Sequence, residues 1–393
     1  MAGGLQETAC SRCIHRKFIS VLVAVLLSAC LVACVSCIPL NEATQRKLES
    51  SVDRAVAEAK APGVISGVWT SGGDWVLAKG EADTRTGRAI ETSDRVRIGN
   101  ITETFVATAV LQLVDEGKLS LDKKLDGFAP TVPYARDITI KQLLNHTSGV
   151  FDYTQSAAFG KSITENVFRQ YSPRELVNFA VTGGQPYFTP GGGYRYSNTN
   201  YILLGIIIEK VTGNRAESEI MKRTVDRLGL RDTSFPVGAG IPGSHSEGYF
   251  ESSGGKLADV TRENVSWAWT AGAMVSSLSD LRTWAGALVG GKLISKKMQE
   301  ERLKWVDETD SPIGEKSGLG IEWRGGYIGF SGAIFGYRTE MYRDPSRRAT
   351  IVNIFNKLSA EPASTVERAA YRNMFIRMSR ILYPGSFAGV KDV

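Results

Sequence analysis

The stretch that decides the fold is Arg97–Phe105, which reads RIGNITETF. It leads into a segment in which apolar side chains recur every three or four positions, as they do on one face of a helix. That apolar stripe consists of Phe105, Val106, Ala109, Val110 and Leu113. Asn100 and Glu103 are three residues apart at the start of this helix, so we expect both side chains on the same face.

Asn100 and Glu103 have a purely structural interpretation. An asparagine at a helix N-terminus accepts a hydrogen bond from the first backbone N–H groups, and a glutamate three residues later can reach back, as in a capping box. Such a cap stabilises a helix by about 1 kcal/mol. On this interpretation the stretch predicts an ordinary helix start.

Four further short motifs follow along the chain. They read NHTSG at Asn145–Gly149, YSN at Tyr196–Asn198, AGAM at Ala271–Met274 and GLG at Gly318–Gly320. With Arg97–Phe105, and in this order, they resemble the serine β-lactamases of the class C type and the D-alanyl-D-alanine carboxypeptidases, a penicillin-binding protein family. The resemblance covers nearly the whole chain after its first forty residues.

The resemblance implies a catalytic role for two positions that have changed here. In the family, a serine at the helix start is the nucleophile and a lysine three residues later takes its proton. Asn100 occupies the serine position and Glu103 the lysine position. An asparagine amide is a poor nucleophile, and losing the nucleophile lowers turnover about a million-fold in a protease example. We therefore expect negligible serine-type acylation.

The Tyr-x-Asn element is intact as Tyr196-Ser197-Asn198. The resemblance makes Tyr196 the general base and Asn198 the group that binds a substrate amide. Without a nucleophile to serve, Tyr196 would only line a pocket. The alternative is a packed tyrosine, with Asn198 capping the buried helix that follows.

The third element, a strand with Lys or His before Ser/Thr-Gly, is altered. Gly329–Gly332 reads GFSG, so Phe330 stands where the resemblance predicts a cation for a carboxylate. Lys316–Gly318 reads KSG, but it precedes the strand that should come first, and we reject it. The predicted ligand-binding residues are Tyr196, Asn198, Phe330, Ser331 and Gly332.

The order of elements predicts an α/β fold of the β-lactamase/transpeptidase-like type. A helix at 41–60, a hairpin at 64–79, helices to about 290, and then strands with a last helix imply an antiparallel sheet flanked by helices. An inserted, mostly helical subdomain completes it. We place the domain at 38–385, with the α/β part at about 38–97 and 300–385 and the helical part at about 98–299.

Residues 1–37 read as a signal and anchor segment. Arg12, Arg16 and Lys17 precede an apolar run, Phe18–Leu27, that is shorter than the about 20 residues needed to span a bilayer. We expect cleavage and export.

All five cysteines lie in this leader, so the folded part has no thiol for a disulfide or a nucleophile. The sequences LSAC and LVAC, ending at Cys30 and Cys34, resemble the lipobox of bacterial lipoproteins. The resemblance implies acylation of Cys30 or Cys34 and an outward-facing, membrane-anchored protein. The alternative is a plain secretory signal with incidental cysteines.

Composition excludes several partners and groups. The net charge is +6 without a basic block, so a nucleic-acid footprint is not supported. His146 and His245 are the only histidines after the leader, so few residues could act as metal ligands. We expect no cofactor. His146, in a turn, is expected to have a structural hydrogen-bonding role.

Three functions remain open from the sequence. The first is a pseudoenzyme that binds a peptidoglycan stem peptide, another acyl compound of the envelope or a protein partner. The second is a hydrolase with another nucleophile, such as Thr102 or Ser331 with Tyr196 as base. The third is a structural lipoprotein with a filled cleft. Thr102 lies roughly 200° around the helix from Asn100, which argues against simple substitution.

Overall fold

The computed structural model describes residues 39–236, 238–309, 311–360 and 363–391. The predicted leader, with Cys30 and Cys34, lies outside these residues. From Pro39 onward the chain forms one compact unit.

The centre of this unit is an antiparallel sheet of nine strands in the order β3-β2-β1-β13-β12-β11-β10-β9-β8. Its strands are β1 Gly63–Thr70, β2 Gly73–Asp83, β3 Arg88–Ala89, β8 Val306–Asp307, β9 Lys316–Ser317, β10 Glu322–Arg324, β11 Tyr327–Ile334, β12 Tyr337–Asp344 and β13 Ala349–Phe355. Strand β1 from near one end of the chain pairs with β13 from near the other, through Val64–Trp69 against Thr350–Phe355. The predicted antiparallel sheet and its opening hairpin are confirmed.

Two minor sheets accompany it. They are formed by β4 Val96–Arg97 with β7 Val275–Ser276, and by β5 Tyr249–Glu251, β6 Leu257–Asp259 and β14 Lys357–Ser359.

One face of the main sheet is covered by the first and last described helices, α1 Glu42–Ala59 and α12 Ala363–Leu382. Asn41 starts α1, because its side chain accepts a hydrogen bond from the Thr44 backbone N–H at 3.0 Å. We call this face of the sheet the outer face.

The larger hydrophobic core lies on the opposite, inner face of the sheet, and the remaining helices contribute residues to it. These are α2 Thr102–Asp115, α3 Ile140–Leu144, α4 Ala157–Glu165, α5 Pro173–Gly183, α6 Asn198–Thr212, α7 Ala216–Ile220, α8 Asp226–Leu228, α9 Trp269–Gly272, α10 Leu278–Val289 and α11 Lys296–Arg302. Side chains alternate between the faces along each strand, so Val64 faces α1 and α12 while Ile65 enters the larger inner core. The sheet therefore separates two hydrophobic cores.

Two glycines bring the inner face of β11 against the turn before α2. Gly99 has a φ of +51°, and a Cβ there would lie 2.6 Å from the Ala333 carbonyl oxygen. A Cβ on Gly332 would lie 2.0 Å from the Ile98 carbonyl oxygen. Glycine at both positions lets the two backbones touch, which places Asn100 beside Ala333.

None of the described helices is both long enough and apolar enough to cross a membrane.

Candidate active site

Asn100 lies in a single 3-10 turn, Gly99–Ile101, and α2 begins two residues after it at Thr102. The residue at the N-cap position of α2 is Ile101, whose side chain cannot hydrogen-bond. The predicted capping box is therefore wrong: Asn100 lies too early to cap the helix, and its side chain points at other groups.

The Asn100 amide bridges three segments of the chain. Its Nδ2 group donates to the Tyr196 hydroxyl at 2.5 Å, to Asn198 Oδ1 at 3.0 Å and to the Ala271 carbonyl at 3.2 Å. Its Oδ1 accepts a hydrogen bond from the Ala333 backbone N–H at 3.2 Å. Both ends of the amide are satisfied, as a buried polar group requires.

Glu103 is completely buried on the first turn of α2. Its Oε1 forms a short hydrogen bond with the Tyr196 hydroxyl, and its Oε2 lies 3.4 Å from His146 Nε2. Burial raises the pKa of Glu103 well above its ordinary value, more than its hydrogen bonds with Tyr196 and Asn100 lower it. Burial therefore favours the neutral, protonated form of the Glu103 carboxyl group.

His146 is also buried and neutral. Burial lowers its pKa to about 3. Its Nδ1 atom accepts from the Ser197 backbone N–H at 3.3 Å and lies 3.1 Å from Asn200 Nδ2, so its proton is on Nε2, facing Glu103. Because His146 is neutral, its contact with Glu103 is not a salt bridge.

Tyr196 and Asn198 meet Asn100 as the resemblance implied. Asn198 is the first residue of α6, and Asp152 Oδ2 accepts from its backbone N–H at 3.2 Å and from its Nδ2 at 2.9 Å. The N-cap residue of α6 is Ser197, so the alternative in which Asn198 caps this helix is wrong. The Asn198 amide instead links Asp152 to Asn100.

The strand of the third element lies beside the site, but its side chains point elsewhere. Phe330 is 2% exposed and belongs to the inner core. Ser331 pairs with Glu340 across the strands, which puts its side chain on the outer face. Gly332 packs on Ile98, so the residue that reaches the site is Ala333. A ligand-binding role for Phe330, Ser331 and Gly332 stays a prediction.

An open cleft of about 310 Å³ adjoins the Asn100 amide. Its lining is mostly apolar and aromatic, with a few polar groups near Asn100, as is typical of sites for small organic ligands. The lining residues are Asn100, Thr154, Phe159, Gly160, Ile163, Asn198, Trp267, Ala268, Ala271, Gly272, Ala333, Ile334, Phe335 and Leu358.

Sequence reasoning missed part of this site. Ala271 and Ala333 contribute only backbone groups, and such contacts cannot be predicted from the residue type. Asp152 could have been suspected, because it follows the NHTSG motif by three residues. His146 has the predicted structural hydrogen bonds, but its contact with Glu103 was not foreseen. Among the described residues, no three His, Cys, Asp or Glu side chains converge as a metal site would require.

Comparison with known proteins agrees with this geometry. Residues 48–373 match the Beta-lactamase family. The chain belongs to that family. The predicted resemblance to β-lactamases and penicillin-binding proteins and the predicted fold class are therefore confirmed.

Two curated relatives place it within the family. The chain is 28% identical to penicillin-binding protein 4* of Bacillus subtilis (strain 168) over 303 residues, 71% of this chain and 64% of that protein. It is 26% identical to a D-aminopeptidase of Cereibacter sphaeroides over 339 residues, 82% of this chain and 62% of that protein. The matched region thus spans less than two thirds of either relative.

Solved structures of amide-cleaving members resemble this Beta-lactamase family chain along most of its length. A D-stereospecific amidohydrolase from Streptomyces sp. is 31% identical, with a TM-score of 0.73, covering 84% of this chain and 98% of the other. The D-amino acid amidase from Ochrobactrum anthropi SV3, complexed with D-phenylalanine, is 25% identical, with a TM-score of 0.77, covering 88% and 99%.

Proposed function

We propose that this protein is a non-acylating member of its family, an envelope lipoprotein that binds an acyl or peptide ligand in the cleft beside Asn100. The observation that carries the proposal is the Asn100 amide, which spans from the Tyr196 hydroxyl to the Ala333 N–H. A backbone N–H in that place is suited to polarise a substrate carbonyl. Here the protein's own amide occupies it.

The protonation of the site supports the same conclusion. The Tyr196 hydroxyl donates to Glu103 Oε1 and also lies 3.1 Å from Asn198 Oδ1. Burial, together with this hydrogen bond to Glu103, raises the pKa of Tyr196 well above its ordinary value. Tyr196 is therefore a poor general base, because its oxygen already accepts from Asn100 and its phenolate form is disfavoured.

The hydrolase with another nucleophile finds no support in the two residues considered for it. The Thr102 side chain is fully buried, and its hydroxyl accepts from the Met274 backbone N–H at 3.1 Å. The Ser331 side chain lies on the outer face of the sheet, away from Tyr196. Neither hydroxyl lines the cleft that would hold a substrate.

The cleft indicates the chemistry of the ligand. Phe159, Ile163, Trp267 and Phe335 offer an apolar surface, while Asn198 and the Ala271 carbonyl offer hydrogen bonds beside it. These features suit a peptide or acyl amide with an apolar side chain, such as the D-amino-acid end of a peptidoglycan stem peptide. The similarity to a D-aminopeptidase and to D-amino acid amidases favours D-amino acid ligands.

The location follows from the leader. The apolar run at Phe18–Leu27 and the two lipobox-like cysteines support export, with acylation at Cys30 or Cys34. We therefore place the cleft outside the cytoplasmic membrane, where stem peptides occur.

Intact-mass spectrometry of the full chain tests the loss of chemistry. The folded protein is incubated with a β-lactam and, separately, with a serine-reactive phosphonate, and we expect no adduct. A stoichiometric adduct would overturn the proposal, and the modified peptide would identify the nucleophile. The Asn100→Ser/Glu103→Lys variant should gain a β-lactam adduct, whereas Asn100→Ser alone, which lacks the lysine, should gain far less.

Thermal shift tests the ligand. D-phenylalanine amide or a peptide ending in D-Ala-D-Ala should raise the melting temperature of the protein, and the L-isomers should do so less. A protein that no such compound stabilises would be better described as a structural lipoprotein with a closed cleft.

A further inference from the structure

Gly160 lies in the wall of the cleft beside Asn100, in the middle of α4. Ile163, three residues later on the same helix, also lines the cleft. Residues three apart on a helix lie on the same face. The face of α4 that brings Ile163 to the cleft therefore carries only a hydrogen atom at position 160.

Neither the backbone nor the packing of α4 requires glycine at this position. The Gly160 N–H donates to the Ser156 carbonyl at 2.9 Å, as in an ordinary helix, and the φ of Gly160 is not positive. A Cβ there would meet no atom of the surrounding structure within 4 Å. Glycine is also less favourable than alanine or leucine in a helix interior. The missing side chain therefore relieves no close contact and leaves open space at the cleft wall.

Aromatic side chains continue the wall that contains Gly160. The ring centroids of Phe159 and Trp267 are 6.1 Å apart, and those of Trp267 and Phe335 are 5.2 Å apart. Trp267 and Phe335 are only partly buried, and both line the cleft. The residues that line the cleft include no charged side chain. A ligand group that lies against Gly160 therefore meets apolar and aromatic surface.

The cleft has room for a group as large as an aromatic ring. Its volume is about 310 Å³, whereas an apolar cavity of roughly 150 Å³ already holds benzene. The amide of Asn198 and the carbonyl of Ala271 lie in the same cleft and can bind the amide of a ligand. One ligand can thus place its amide at these polar groups and a bulky side chain against Gly160.

We propose that Gly160 determines which ligands the cleft accepts, because its missing side chain leaves room for a bulky apolar group. The inference rests on the function proposed above and names the ligand class within it: amides of D-amino acids with large apolar or aromatic side chains. A side chain at position 160 would fill the space that the side chain of the ligand needs. Amides of small D-amino acids, such as D-alanine, leave that space empty and bind less tightly.

Isothermal titration of the full chain with D-phenylalanine amide and with D-alanine amide tests this role. We expect the unsubstituted protein to bind the phenylalanine amide at least about tenfold more tightly, because more apolar surface is buried. Gly160→Leu should weaken binding of the phenylalanine amide by at least about tenfold and leave binding of the alanine amide nearly unchanged. A loss confined to the larger ligand identifies a steric effect at position 160.

Gly286→Leu is the matched control. Gly286 also lies inside a helix, α10, and is partly exposed like Gly160, and a Cβ there would likewise meet no atom within 4 Å. Gly286 does not line the cleft. We expect Gly286→Leu to leave the affinity for both amides unchanged. Neither substitution should lower the melting temperature of the free protein, since leucine is the better helix former, so lost binding cannot be attributed to unfolding.

Equal affinity of the Gly160→Leu variant and the unsubstituted protein for D-phenylalanine amide would overturn the inference. An equal loss for both amides would overturn it too, because it would indicate a general distortion of the cleft. Either result leaves the proposed function intact, since the unsubstituted protein still binds a D-amino acid amide. If the unsubstituted protein binds neither amide, the proposed function itself fails and the inference fails with it.

Discussion

Glu315 and Glu103 lie on opposite faces of the central sheet, and their pKa values are shifted in opposite directions. On the outer face, Arg324 Nε lies 2.6 Å from Glu315 Oε1, and Arg324 Nη1 lies 2.9 Å from Glu340 Oε1. Burial acts to raise the pKa of Glu315, but the charge of Arg324 and hydrogen bonds outweigh it and leave the pKa lowered. On the inner face, the Glu103 side chain is completely buried, and its Oε2 lies 3.4 Å from Nε2 of His146, which is neutral.

The difference shows what decides the charge of a buried group. A carboxylate loses its hydration on burial, and only a cation in the same place restores enough of that free energy to keep it ionised. Glu315 has the cation, so it forms part of a structural ion cluster. Glu103 occupies the position where the resemblance places a lysine, and without a cation beside it burial favours its neutral, hydrogen-bonding form.

Removing the cation from the outer face should give the largest effect. Arg324→Met would leave Glu315 and Glu340 buried without their partner, so we expect unfolding free energy to fall by about 3–5 kcal/mol. Equilibrium unfolding in urea measures this change, and Arg136→Met, at an exposed site, is the control. A loss below about 1 kcal/mol would show that water reaches the ion cluster and that Arg324 is not what keeps Glu315 ionised.

Asn100→Asp should destabilise the inner face by an intermediate amount. The new oxygen would face the Ala271 carbonyl and Asn198 Oδ1, which now accept hydrogen bonds from the amide, so we expect a loss of about 1–3 kcal/mol at pH 7. The introduced carboxyl would have a raised pKa in the folded state, so its penalty should shrink as the pH falls. Asn100→Ser, which introduces no charge, should lack this pH dependence in the same urea titrations.

His146 should make the protein less stable in acid. Its pKa is lowered to about 3 in the folded state, below the ordinary value of 6.5, so the unfolded chain binds the proton first. Its contribution is complete above pH 6.5 and is lost as the pH falls towards 3, at about 1.4 kcal/mol per unit. His146→Asn should flatten this part of the stability curve.

Asparagine suits the site of His146 for two reasons. Its side chain can accept the Ser197 N–H, and the residue tolerates the φ of +57° found there. Identical slopes for His146→Asn and the wild-type protein between pH 6.5 and 4 would mean that His146 is charged.

Glu103→Gln should have the smallest effect. Below the ordinary glutamate pKa, Glu103 is protonated in both the folded and the unfolded chain, so an amide of the same shape should change stability by less than about 1 kcal/mol at pH 4. Glu340→Gln, which removes a charged partner of Arg324, should cost about 2 kcal/mol or more. Because the pKa of Glu103 is raised in the folded state, the wild-type protein should lose stability as the pH rises above the ordinary glutamate value, and Glu103→Gln should abolish this loss. Equal effects of the two substitutions on stability would mean that the carboxyl groups of Glu103 and Glu340 do not differ in charge.

The sequence by itself determined the family, the antiparallel sheet and the places of Asn100, Glu103, Tyr196 and Asn198 in one site. It could do so because local patterns carry this information: apolar periodicity defines helices and strands, and motif order defines the fold. The same local reasoning predicted a capping box that does not exist. A cap depends on where the helix begins, and the 3-10 turn at Gly99–Ile101 shifts that start by two residues.

Only the tertiary structure decided which protein groups surround the Asn100 amide. The Ala333 N–H and the Ala271 carbonyl are backbone groups brought to Asn100 by distant segments, and every residue type offers them alike. The pKa of Glu103 likewise depends on its burial and on the side chains around it, and neither can be deduced from the order of residues in the sequence. The sequence identified Asn100 and Glu103, whereas the packing of three segments around the Asn100 amide joined them to Tyr196 and Asn198 by hydrogen bonds.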